Sequence, residues 1–135
     1  MIEIEVTIES SISKVWNSFF TAESICKWNF ASEEWYCPAA KLDFKEGGEF
    51  CYTMSAKDQS FCFDLKGVFI NIVPLQLLEY KLEDGRMVRV EFIQQNEKEV
   101  HVKQYFEPES ENPEDLQKQG WQAILNNFKL FVEQN

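Results

Sequence analysis

Clustered positive charge is what this chain most lacks. Its 135 residues hold 13 Lys and Arg against 23 Asp and Glu, a formal net charge of −10. Nucleic-acid binders neutralise phosphates with grouped cations, and no basic run is present to do so. An anionic membrane surface would repel the chain for the same reason. The densest acidic stretch, Glu107 to Asp115, is broken by Pro108, Asn112 and Pro113 and reads as a solvated loop. Long hydrophobic runs are missing too. Nothing approaches the ~18 apolar residues of a membrane-spanning helix, and the N-terminus alternates where an export signal would be continuously apolar. A cytoplasmic protein is expected, with neither nucleic acid nor membrane insertion in its function.

Metal-site and nucleophile patterns are equally scarce. Cys26, Cys37, Cys51 and Cys62 follow no zinc or redox spacing, so reduced thiols acting as small hydrophobes are expected. The only histidine, His101, lies out of phase with Val100 and Val102 on an alternating segment and should face solvent. A zinc site needs three or four convergent ligands and a Ser-His-Asp triad needs an inward ring, so no metal is assigned. Phosphate-cradling and dinucleotide glycine patterns do not occur. Glu33 and Glu34 would serve acid–base chemistry only if desolvated, and adjacent loop carboxylates are usually solvated. No catalytic residue and no cofactor is assigned.

Aromatic residues are abundant: 12 Phe, 4 Trp and 4 Tyr. That load excludes intrinsic disorder and suits a wide interior or a lined pocket. The length fits a single domain over residues 1–135, able to bury one core without metals or disulfides. Ile2, Ile4, Val6 and Ile8 alternate with polar residues and predict an amphipathic strand. Ser10 or Ser11 then caps a short helix carrying Ile12, Val15, Trp16, Phe19 and Phe20, and Thr21 caps a second one reaching Trp28. The segment from Trp28 to Pro38 reads as irregular. From Lys41 to Phe106, turn signals at Gly47-Gly48, Lys57–Ser60, Val73–Leu75, Asp84-Gly85 and Asn96–Lys98 separate alternating segments, which predicts an antiparallel meander of six strands. Asp84-Gly85 reads as a two-residue hairpin turn. Asn112 as N-cap and Pro113 at the first helical position open a long helix with an apolar stripe from Leu116 to Val132. Gly120 in that helix reads either as room for a strand or cavity or as a fray point. The expected class is α+β: a curved antiparallel sheet of about seven strands wrapped around a long C-terminal helix, the element long enough to cover it.

This element order resembles the helix-grip fold of the START-like, polyketide cyclase and birch-pollen-allergen-like proteins, the SRPBCC superfamily. Val15-Trp16, Thr21 to Trp28, Gly47-Gly48 with Phe50, Gly67, Asp84-Gly85 and Gly120-Trp121 are similar to the family named for the activator of heat-shock protein 90 ATPase. WNFASEEW (28–35), AKDQSFCFDLKG (56–67) and GWQAILNNFK (120–129) resemble a bacterial subgroup, in which Gln59 and Cys62 stand where glycine is expected. The resemblance implies a cavity between sheet and long helix. Its wall would be Trp28 and Trp35 at the mouth, Tyr52, Met54, Phe63 and Tyr80 on the sheet, and Trp121, Leu125 and Phe128 on the helix. The alternative for each is a plain core position. Three functions follow: a non-enzymatic protein holding a small hydrophobic or amphipathic molecule, a co-chaperone-like protein contacting a chaperone ATPase, or a polyketide cyclase-like enzyme.

Overall fold

In the computed structural model, which describes residues 1–135, the opening alternation becomes strand β1 (Ile2–Ile8), with its Ile and Val side chains buried and the residues between exposed. Helix α1 (Ile12–Phe20) is capped by Ser11, whose Oγ accepts from the Lys14 amide at 3.3 Å, and buries Val15, Trp16 and Phe19. Helix α2 (Ala22–Trp28) lacks the expected side-chain cap from Thr21. That hydroxyl donates back to the Asn17 carbonyl at 2.7 Å and closes α1 instead. Then come β2 (Trp35–Leu42), β3 (Glu49–Ala56), β4 (Cys62–Val73), β5 (Leu77–Leu82), β6 (Met87–Asn96), β7 (Glu99–Phe106) and α3 (Glu114–Gln134).

All seven strands form one antiparallel sheet in the order β1-β7-β6-β5-β4-β3-β2. The meander keeps sequence order, and β1 joins it by pairing Ile2 with Phe106 and Ile8 with Val100. The three helices lie on the concave face, which is the helix-grip arrangement. Four further details differ from the sequence reading. The meander begins at Trp35, inside the segment read as irregular, because β2 is an edge strand whose register shifts between Tyr36 and Ala39. Pro38 sits at that shift, where the missing amide costs no ladder bond. Pro113, with φ −59° and ψ 142°, precedes α3 and occupies the N-cap position itself. Asn112 instead donates from its amide and side chain to Glu109 Oε1, both at 2.8 Å.

The third departure is the β5–β6 turn. Leu82 N donates to Arg86 O at 2.8 Å and Gly85 N to Leu82 O at 2.9 Å, so the loop holds three residues, with Gly85 at φ +94°. A turn followed by a left-handed glycine is the usual three-residue hairpin. A two-residue loop would pair Arg86 with Glu83 on the outer face. The observed loop pairs it with buried Leu82, and one residue of register decides the face. Finally, Gly120 is the seventh residue of α3, well inside it, and a Cβ there would meet no atom within 4 Å. It is neither a fray point nor a relief of crowding.

α3 packs closest on β1, α1 over β6 and β7, and α2 along β2. The helix predicted to cover the sheet alone therefore shares that task. All three helices meet at Phe128, which is 0% exposed, with ring centroids 5.1 Å from Phe19 and 4.9 Å from Trp28. Two substitutions on α3 should consequently act in opposite directions in urea unfolding. Phe128→Ala is expected to cost about 3–5 kcal/mol, as for a fully packed ring. Gly120→Ala is expected to add about 0.5–1 kcal/mol, because helix propensity rises and nothing is displaced.

Candidate ligand cavity

Over β3, β4 and β5 the helices leave a cavity of about 410 Å³, within the ~300–1,000 Å³ usual for small-molecule sites. Twenty residues line it, 14 of them hydrophobic. Its sheet wall depends on Gly67. A Cβ there would stand 2.5 Å from the Phe50 ring and 2.6 Å from the Lys81 carbonyl oxygen, so glycine lets Phe50 lie across β4. From that position the Phe50 centroid is 4.9 Å from Tyr52, 5.1 Å from Phe69 and 5.3 Å from Tyr80.

Trp28, Tyr52, Met54, Phe63, Tyr80, Trp121 and Leu125 all line this space. Trp28 does so from inside and not at the mouth: it is buried, and its Nε1 donates to the Ser18 carbonyl at 3.1 Å. Trp35 lies outside the lining, with its ring 6.1 Å from Phe61 and 5.9 Å from Phe63 on the outer rim. Phe128 is also outside it, because Phe19 and Trp28 enclose it as core. Trp121 stacks on Phe106 at 4.1 Å between centroids, which holds one face while the rest of the ring borders the cavity.

The sequence reading missed the polar part of the wall. Gln104 is buried and donates from Nε2 to the Tyr80 hydroxyl at 3.4 Å. It shares parity with Val100, Val102 and Phe106, and that phase was the available signal. Gln117 clamps the β7–α3 loop, accepting from Glu109 N at 2.8 Å and donating to the Asn112 carbonyl at 2.8 Å. Arg86 enters through the hairpin register described above, and its Nε donates to Asp84 Oδ2 at 2.8 Å. Asn29, 6% exposed, presents an Nδ2 with no hydrogen-bond partner. Cys37 lies beside it; burial first, then neighbouring Cys26, pushes the Cys37 thiol up to about 12, so it is not a nucleophile at neutral pH. Burial likewise raises both Tyr52 and Tyr80, which stay protonated donors.

The other weighed residues lie elsewhere. His101 is on the outer face, with Nδ1 2.9 Å from Thr7 Oγ1 and Nε2 3.5 Å from Glu5 Oε1. Glu33 and Glu34 are exposed and do not border the cavity. Arg89 faces outward between Glu79 and Glu91, at 3.4 and 3.1 Å. Gln59, standing where the resemblance led us to expect glycine, has φ +66°, a left-handed conformation that explains the expectation. No helix is long and apolar enough to cross a membrane.

A family model described as Activator of Hsp90 ATPase homolog 1-like protein matches residues 9–133. Among solved structures, the AHSA1-like protein from Aeromonas hydrophila is similar at 35% identity and TM-score 0.89, covering 98% of this chain and 93% of that one. Chr148 from Cytophaga hutchinsonii is similar at 45% identity and TM-score 0.85, covering 99% and 92%. The di-domain ARO/CYC StfQ from the steffimycin biosynthetic pathway shares 12% identity at TM-score 0.76, over 99% of this chain and 45% of that one, a likeness of fold alone. No curated relative matches the sequence.

The unpartnered Asn29 amide gives the cavity wall a measurable signature. A buried donor without an acceptor costs ~1–3 kcal/mol. Replacing it with an apolar side chain of similar size, Asn29→Leu, should raise stability in urea unfolding by about 1 kcal/mol. A loss of stability would mean that the amide is satisfied in solution.

Proposed function

Since the chain belongs to the family of Activator of Hsp90 ATPase homolog 1-like proteins, we propose that it is a non-enzymatic binding protein, holding a small hydrophobic or amphipathic molecule in the cavity between sheet and helices. The observation that carries this reading is the cavity of about 410 Å³, walled by rings whose positions are fixed by packing behind them. Ring-lined space with few polar groups favours apolar molecules, and fixed walls keep the cost of ordering on binding low.

Binding is favoured over turnover by the chemistry of the lining. Its one carboxylate, Glu109, has Oε1 engaged by Asn112, and its tyrosines are held protonated by burial. No acid–base pair poised near neutral pH emerges from that set. A cytoplasmic setting is part of the proposal and is supported by four unpaired cysteines. A second reading, contact with a larger protein such as a chaperone ATPase, is supported by the rim beside the cavity. There Phe61 is 58% and Phe63 40% exposed, grouped with Trp35.

The neutral fluorophore N-phenyl-1-naphthylamine tests the cavity directly. Native protein should bind one equivalent with a blue-shifted emission. Leu125→Trp or Ile124→Trp should fill the space and weaken binding at least tenfold while unfolding stays cooperative. Undiminished binding to both folded variants would remove the cavity as the site.

A further inference from the structure

The apolar cavity carries one full positive charge at its wall, and that charge has unused capacity. The Arg86 guanidinium is ion-paired to Asp84 through Nε at 2.8 Å, while neither Nη makes a hydrogen bond to the protein. Its side chain is 21% exposed, so it is largely withdrawn from water. An arginine with both Nη groups open offers the geometry that grips a carboxylate or sulfonate.

Two other donors bordering the cavity are also unmatched. Asn29 Nδ2 is buried without a partner, and the Tyr52 hydroxyl makes no hydrogen bond within the protein. Burial raises Tyr52, so it remains a donor across the neutral range. Tyr52 and Tyr80 both pack against the Phe50 ring, at 4.9 and 5.3 Å between centroids. Tyr80 in turn feels the charge of Arg86. Arg86, Tyr52 and Asn29 thus all bring donors to the lining of one cavity.

The acidic side of the mouth limits how much negative charge a ligand can bring. Glu109 borders the cavity, with its Oε1 turned into its own loop onto Asn112, and Asp84 holds Arg86 from outside. Asp84 already balances Arg86 and Glu109 stands nearby, so any anion must be held by the open guanidinium face through hydrogen bonds, and a phosphate dianion is disfavoured more than a monoanion. We propose that the ligand is an organic monoanion, an aromatic or long-chain carboxylate or sulfonate, with its charge on Arg86 and its apolar body against the rings of the sheet. This rests on the cavity being the binding site and adds the class of molecule it selects.

Two dyes that share one aromatic body separate the claims. 1-Anilinonaphthalene-8-sulfonate is N-phenyl-1-naphthylamine with a sulfonate added. Wild-type protein should bind the sulfonate at least tenfold more tightly than the neutral dye, the scale of a charge-assisted hydrogen bond. Arg86→Gln should reduce the ratio of the two affinities at least tenfold, Arg86→Lys should retain part of it, and added salt should lower it. A ratio near one in wild type, or a ratio unaltered in Arg86→Gln, overturns the anion assignment while leaving the cavity standing. Failure of the neutral dye to bind wild type overturns the cavity itself, and with it this inference.

Discussion

The meeting of Phe19, Trp28 and Phe128 is the contact on which the rest of the architecture depends. Each ring belongs to a different helix, and their centroids lie within 5.3 Å of one another. Edge-to-face and tilted rings attract beyond their burial, so the three helices are joined at one corner of the concave face. From that corner α3 runs along β1, α2 along β2 and α1 over β6 and β7. None has reason to approach β3, β4 or β5 as closely. A curved sheet of seven strands offers more apolar surface than three helices pinned together can cover, and the cavity is the uncovered remainder.

The sheet tolerates that remainder because its own rings brace one another. Phe20 stacks on Phe44 at 3.9 Å, Phe44 meets Phe69 at 5.2 Å, and Phe69 meets Phe50 at 5.1 Å. The wall is thus backed by a continuous line of aromatics leading from α1 to β3. Gly67 is part of the same construction, since any side chain there would lift Phe50 from β4. The aromatic excess evident in the composition divides between these two tasks, a packed corner and a braced wall.

Periodicity made most of this legible. β1, α1 and α3 announce themselves by clean two-residue or helical spacing, and the order of elements follows from the turns between them. β2 was obscured because an edge strand with a register shift and a proline buries no regular alternation. The β5–β6 loop was legible in principle. Leu78 pairs with Val90 and Tyr80 with Val88, all even-numbered and buried, and paired residues of equal parity require an odd number between them. Reading Asp84-Gly85 as a two-residue turn ignored that constraint and shifted the register at Arg86 by one residue. Gln104 was legible by the same parity. Asn29 was not, because its lack of a partner depends on the packing of α2 against β2. Trp35 and Phe128 were misplaced because aromatic character alone does not distinguish a rim or a core from a lining.

The polar residues of the cavity show how such a fold divides stability from selectivity. Its rigid parts, the sheet ladder and the ring corner, are held by backbone pairing and ring packing. Its unmatched groups, the Nη nitrogens of Arg86, the Tyr52 hydroxyl and the Asn29 amide, all border the same empty space. A buried donor without an acceptor is a standing cost to folding, and proteins carry such costs where function needs them. Arg86 and Asn29 come from a hairpin turn and a helix end, which the sheet positions without depending on them. Changing the residue at either place alters what the cavity accepts while Phe19, Trp28, Phe50, Gly67 and Phe128 keep it open. One scaffold can therefore serve different ligands through its connecting segments, and in this chain those segments present hydrogen-bond donors and a single cation.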